Sequence, residues 1–74
     1  MKLNLLSCNA SRPDRRAIAK CIVDISNNIS ESLANDLTAI LLEGDAIDIV
    51  VPDKNSGSAL RALRKLVIDY EIME

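Results

Sequence analysis

Ala46-Ile47-Asp48-Ile49-Val50-Val51-Pro52 is the stretch on which the fold turns. Its apolar residues are mostly β-branched, Asp48 interrupts them, and Pro52 cannot donate to a sheet ladder. The run therefore reads as a strand that stops at Val51. Just upstream, Gly44 stands where the C-terminus of a helix favours a left-handed residue. Before it, Leu33, Leu37, Ile40 and Leu41 recur at helical spacing and are expected to form the buried stripe of that helix. Its start is marked by Ser30 as cap, with Ile29 placed to pack on Ala34 as a hydrophobic staple.

Further upstream, Ser11-Arg12-Pro13-Asp14 has the layout of another helix start, with Ser11 as cap, Pro13 in the first turn and Asp14 at the capping-box position. Ile18, Cys21, Ile22 and Ile25 follow at helical spacing, and Asn27-Asn28 ends the helix. The alternation of Lys2-Leu3-Asn4-Leu5, carried on through Leu6 and Ser7, predicts a first strand. Downstream of Pro52, Asp53 to Ser58 reads as a turn, with Asn55, Ser56 or Ser58 to cap a third helix. Leu60, Leu63, Leu66 and Val67 are its inward positions, and Arg61, Arg64 and Lys65 its outward ones. Tyr70-Glu71-Ile72-Met73-Glu74 alternates and closes the chain as a third strand. The expected product is an α+β two-layer sandwich: strand, helix, helix, strand, helix, strand, with a three-stranded sheet under three helices on one face.

At 74 residues, there is room for one domain, spanning 1–74. Hydrophobic residues make up 49% and only Tyr70 is aromatic, so the core must be aliphatic. Met1 to Leu6 holds no long apolar stretch, so no signal peptide is read. Cys8 and Cys21 are expected as reduced thiols of a cytoplasmic protein, and no run is long enough for a membrane helix.

The net charge is −2, and the charges are segregated along the chain. Arg12, Arg15, Arg16 and Lys20 form a basic block with only Asp14 inside it. From Asp24 to Asp53 there are seven acids and no base. Lys54, Arg61, Arg64 and Lys65 are basic again.

Several chemistries are excluded or disfavoured by residue type. With no histidine, the Ser-His and Cys-His nucleophile pairs and the commonest metal ligand are gone. Asp45, Asp48 and Asp53 lack calcium-loop spacing and read as solvated carboxylates. Pro52 to Ser58 joins a strand to a helix with one glycine and no phosphate-loop pattern. Cys8 is the one candidate for a reactive thiol, because its neighbours are polar and the basic block favours a thiolate. Cys21, on an apolar stripe, reads as core. The KH module shares the strand–helix–helix–strand core, but its Gly-x-x-Gly loop is replaced here by Ile25-Ser26-Asn27-Asn28-Ile29. With neither glycine nor base in that turn, no aromatic pair for stacking and a negative net charge, the sequence argues against nucleic acid.

Asp14-Arg15-Arg16-Ala17-Ile18-Ala19-Lys20-Cys21-Ile22, Ser32-Leu33-Ala34-Asn35-Asp36-Leu37 and the Ala- and Leu-rich run from Ser58 to Lys65 carry a resemblance. In order and pattern they resemble the three helices of the C-terminal domain of the bacterial ribosomal stalk protein. That fold group is shared with the adaptor of the Clp protease. The resemblance implies the same six-element order and docking of a protein partner through the first two helices. Arg15 and Lys20 match basic positions of the family's first helix. Val23, Ser32 and Asn35 stand where the family has further bases.

The sequence thus points to a non-enzymatic interaction or adaptor module with no cofactor and no metal. Arg12, Arg16 and Lys20, at i, i+4 and i+8 with Arg15 beside them, are expected to form one helix face that docks a partner with an acidic surface. The competing readings are a self-associating subunit, such as a homodimer using Tyr70, Ile72 or Met73, and a thiol-dependent redox protein using Cys8.

Overall fold

The computed structural model describes residues 1–26 and 28–73. The chain forms β1 (Lys2–Cys8), α1 (Arg15–Ile25), α2 (Glu31–Leu42), β2 (Ile47–Val50), a 3-10 turn (Asp53–Asn55), α3 (Ser56–Lys65) and β3 (Ile68–Met73). The strands make one antiparallel sheet in the order β2-β1-β3. β1 is therefore central, and β2 and β3, both antiparallel to it, run parallel to each other on its two sides. This is the expected α+β architecture.

Alternation explains the two layers. Leu3 and Leu5 of β1 pair with Ile49 and Ile47 of β2, and all four are buried beneath the helices. Lys2, Asp48 and Val50, one residue out of phase, are exposed on the other face. Met1 and Val51 extend the ladder by exchanging backbone hydrogen bonds of 2.9 and 2.8 Å. Between β1 and β3 the register slips: Leu5 faces Tyr70, whereas Ser7 faces Asp69, so Leu6 is the extra residue of a β-bulge. The slip brings Cys8 opposite the buried Ile68, on the helix side of the sheet.

Over this face the helices lie with α1 in the middle, packed against α2 on one side and α3 on the other. Ile18, Ala19, Cys21, Ile22 and Ile25 of α1 join Ala34 and Leu41 of α2 and Ala59 and Leu63 of α3 in one aliphatic core. Among the described residues, the one buried polar residue is Thr38, whose hydroxyl donates to the Ala34 carbonyl at 2.7 Å and is satisfied within its own helix; the Ser26 Oγ is also buried and has no partner there.

Several details differ from the sequence expectation. α1 is capped by Asp14, whose Oδ1 accepts from Ala17 N at 3.1 Å, and not by Ser11. Arg12 precedes Pro13, and the proline ring disfavours helical backbone at the residue before it. The helix therefore starts only at Arg15. Its C-cap is Ser26; Asn28 takes a φ of 63°, and Asn27 lies outside the described residues. β3 begins at Ile68 rather than Tyr70, and Glu74 likewise lies outside the described residues.

Val67 does not point inward. α3 ends at Lys65, and Val67 turns the chain with a φ of 57°, which leaves its side chain 49% exposed. The stripe of α2 also sits differently. Ala34, Thr38 and Leu41 are buried, Leu37 is half-buried, and Leu33 and Ile40 are 44% and 39% exposed. The small Ala34 and Thr38 let α2 lie close to the rest of the fold, which rotates the larger residues outward.

Other signals hold. Ser30 Oγ accepts from Leu33 N at 3.2 Å, as a helix cap should. Gly44, at a φ of 101°, ends α2 with paired reverse bonds: Gly44 N to Leu41 O at 3.1 Å and Asp45 N to Ile40 O at 3.2 Å. A Cβ at Gly44 would meet nothing within 4 Å, so a substitution there is opposed by backbone strain alone. Gly44→Ala is expected to lower stability by about 1–2 kcal/mol in urea unfolding, the cost of left-handed backbone for an L-residue.

Candidate functional site

The structure places the four bases of the sequence block unequally. Arg15 and Arg16 are the first two residues of α1, Lys20 lies one turn on from Arg16, and all three are exposed. Arg12 is exposed too but precedes the cap, so the i, i+4, i+8 relation does not extend to it. Arg16 and Lys20 stand over a groove of about 630 Å³ between α1 and α2. Its α1 side is floored by Ala19 and Val23. Asp24 closes it at one end, and Glu31 and Asn35 form the α2 wall. The opening thus has Arg16, Lys20 and Asp24 along the α1 edge, Glu31 and the neutral Asn35 along the α2 edge, and a short apolar floor between them.

These charges are not spent inside the fold. Among the described residues, the one ion pair within 4 Å joins the Met1 amine to Asp53 Oδ1 at 3.3 Å, and no Lys or Arg side chain is so paired. Asp53 is almost fully exposed, so this pair contributes little. The helix ends add to the imbalance. The first turn of α1 holds no acid and two arginines, although the N-terminal end of a helix dipole favours anions. Asp24 sits near the C-terminal end, where cations are favoured. The first turn of α1 is thus basic, and the Asp14 cap is the one carboxylate there that answers the helix dipole.

A second basic element adjoins it. Arg61, Arg64 and Lys65 of α3, with Lys54 just before it, are all exposed, and α3 packs beside α1. Eight of the nine bases of the chain thus lie on or next to these two helices, leaving only Lys2 on the open sheet face. The sequence displays both basic blocks, but their adjacency follows from the sheet order β2-β1-β3, which carries α3 across to the far side of α1.

The cysteines are both free. Cys8 Sγ donates to the Leu66 carbonyl at 3.6 Å and is half-buried. Burial first, and the Asp24 carboxylate second, push the Cys21 thiol above its usual range. The thiolate is the reactive form, so one equivalent of iodoacetamide at mildly alkaline pH is expected to label Cys8 before Cys21; peptide mapping reads the order. Asp45, Asp48 and Asp53 do not converge, and among the described residues no three Asp, Glu or Cys side chains form a cluster able to hold a metal ion. Among those residues no helix is long and apolar enough to cross a membrane.

No family model matches the chain, and no curated protein or solved structure is significantly similar to it.

Proposed function

We propose that this domain is a protein-interaction module that docks an acidic partner on α1, with Arg15, Arg16 and Lys20 as the principal contacts and Arg12 as a flanking one. The observation that carries this reading is the state of those bases: exposed, free of any ion pair among the described residues and, for Arg15 and Arg16, placed in the first turn of α1 where the helix dipole disfavours them. Bases left uncompensated by their own fold are available to carboxylates from outside. The groove beside Arg16 and Lys20 supplies an apolar floor, so a segment fits it that lays small aliphatic residues on the floor and its acids on Arg16 and Lys20, away from Asp24 and Glu31. The stalk-protein family that the helix sequences resemble uses its first two helices for docking, which favours the same surface.

The test is a titration of the ¹⁵N-labelled chain with a synthetic Glu- and Leu-containing peptide. Saturable shifts at Arg15, Arg16, Lys20 and Val23 are expected, weakening as salt is raised. Shifts scattered over α3 and the sheet, or none, would remove α1 as the docking face.

A second reading, self-association, is favoured by one observation. β3 is an edge strand of six residues whose Ile72 is 49% exposed although it pairs with the buried Leu3. Pairing of two β3 edges would cover Ile72 and Met73. Light scattering over a concentration series decides it: a monomer at the highest concentration rules it out.

A further inference from the structure

α2 carries two apolar stripes, and the fold consumes only one. Ala34, Thr38 and Leu41 face the core. Leu33, Leu37 and Ile40, spaced i, i+4 and i+7, share a different side. At 100° per residue this side is opposite Glu31 and Asn35, the residues that face α1 across the groove. Among the described residues nothing covers it fully: Leu33 and Ile40 are exposed and Leu37 is half-buried. One helical row further round stand Asp36 and Glu43, both exposed, each three residues beyond a stripe residue. No base occurs anywhere between Lys20 and Lys54.

We infer that this outer stripe of α2 is a second docking surface, and that its occupant is a cationic amphipathic helix of a partner protein. The apolar row matches the i, i+4, i+7 anchors by which such a helix lies along another. Charge selects the occupant. A second copy of the chain, brought in about a two-fold axis, would align Asp36 and Glu43 of both molecules along one seam, with like charges opposed. Nor do the basic helices of another copy fit: the exposed positions of α1 are Arg15, Arg16, Lys20 and Asp24, and those of α3 are Gly57, Ser58, Arg61, Arg64 and Lys65, with no large aliphatic side chain among them. A helix with Leu or Ile on one side and Lys or Arg flanking it satisfies both the stripe and the carboxylates. The domain then has two docking faces of opposite sign on adjacent helices, basic on α1 and acidic-apolar on α2, which is the layout of an adaptor that bridges two partners.

The test uses the full chain, ¹⁵N-labelled, and a synthetic 18-residue helix of Leu and Lys with Leu on one face. Saturable shifts at Leu33, Asp36, Leu37, Ile40 and Glu43 are expected. Affinity should fall at least tenfold in the Leu33→Lys/Ile40→Lys variant, which alters two exposed positions and should leave the circular dichroism spectrum unchanged. Should that variant lose its fold, Asp36→Lys/Glu43→Lys leaves the apolar row intact and should reverse the preference toward a Leu and Glu helix. The inference is overturned if the Leu and Lys peptide does not bind. It is equally overturned if the shifts map to Asp48 and Glu71 on the open sheet, or if affinity is unchanged in both variants. Concentration-dependent dimerisation abolished by Leu33→Lys would assign the stripe to a second copy instead.

Discussion

Leu41→Ala is expected to lower stability by about 3 kcal/mol, while Ile40→Ala, one residue earlier on the same helix, costs about 0.5 kcal/mol or less. Both are large aliphatic residues of α2, and helical spacing alone assigns both to a buried stripe. In the fold Leu41 is 1% exposed and belongs to the core shared by the sheet and helices, whereas Ile40 is 39% exposed on the outer side. Truncating Leu41 removes buried methyl groups and leaves a cavity in an interior with no aromatic side chain to collapse into it. Truncating Ile40 removes surface already in contact with water. For a domain of this size, 3 kcal/mol is a large share of the total stability and a fall in Tm of roughly 12–24 °C. Urea unfolding should show the midpoint of Leu41→Ala moving far down at an unchanged slope, with Ile40→Ala close to the parent. Equal losses from the two variants would mean that α2 is rotated from the orientation described.

Replacing Arg15 and Arg16 by glutamate is expected to stabilise the fold while weakening the proposed docking. The two positions form the first turn of α1, where a carboxylate interacts favourably with the dipole and an arginine does not. Each exchange contributes about 0.3–1 kcal/mol at low salt, and the nearby Asp14 cap carboxylate opposes part of it. A net gain of about 0.5–1 kcal/mol is therefore expected, fading as salt is raised. Neither side chain is buried or ion-paired among the described residues, so nothing in the core is lost with them. The same exchange turns the sign of the groove edge, and affinity for an acidic peptide should drop at least tenfold. Opposite movements of stability and binding separate a docking surface from a solvated helix face, since a solvated face would show the stability change alone.

The fold was largely legible because its signals are local. Alternation in Ile47–Val50, the Ser30 cap and the Gly44 terminus each act through their own neighbours, and each stands where the spacing predicts. Expectations failed where two local rules competed or where no special residue marked the event. Ser11 and Asp14 are both good caps three residues apart, and the restriction that Pro13 places on Arg12 decides between them. The reversal after α3 is made by Val67, a β-branched residue that nothing in its sequence context marks as left-handed, so β3 starts earlier than its polar alternation suggests. The site was half legible. The basic block is plain in the sequence, but the wall that Glu31 and Asn35 build opposite Arg16 and Lys20 depends on how α2 packs against α1. Hydrophobic spacing groups Leu33, Leu37 and Ile40 with Leu41 in one stripe, and of these only Leu41 is fully buried. Which of two apolar rows is buried depends on the small residues that set the closeness of packing, and spacing does not carry that information.

The central claim is that α1 holds an acidic partner through Arg15, Arg16 and Lys20. The most direct measurement is the fluorescence anisotropy of a labelled Glu- and Leu-containing peptide, titrated at low salt with the parent chain and with its Arg15→Glu/Arg16→Glu/Lys20→Glu variant. Saturable binding to the parent, at least tenfold weaker in the folded variant, is the predicted result; equal affinity for both would contradict it.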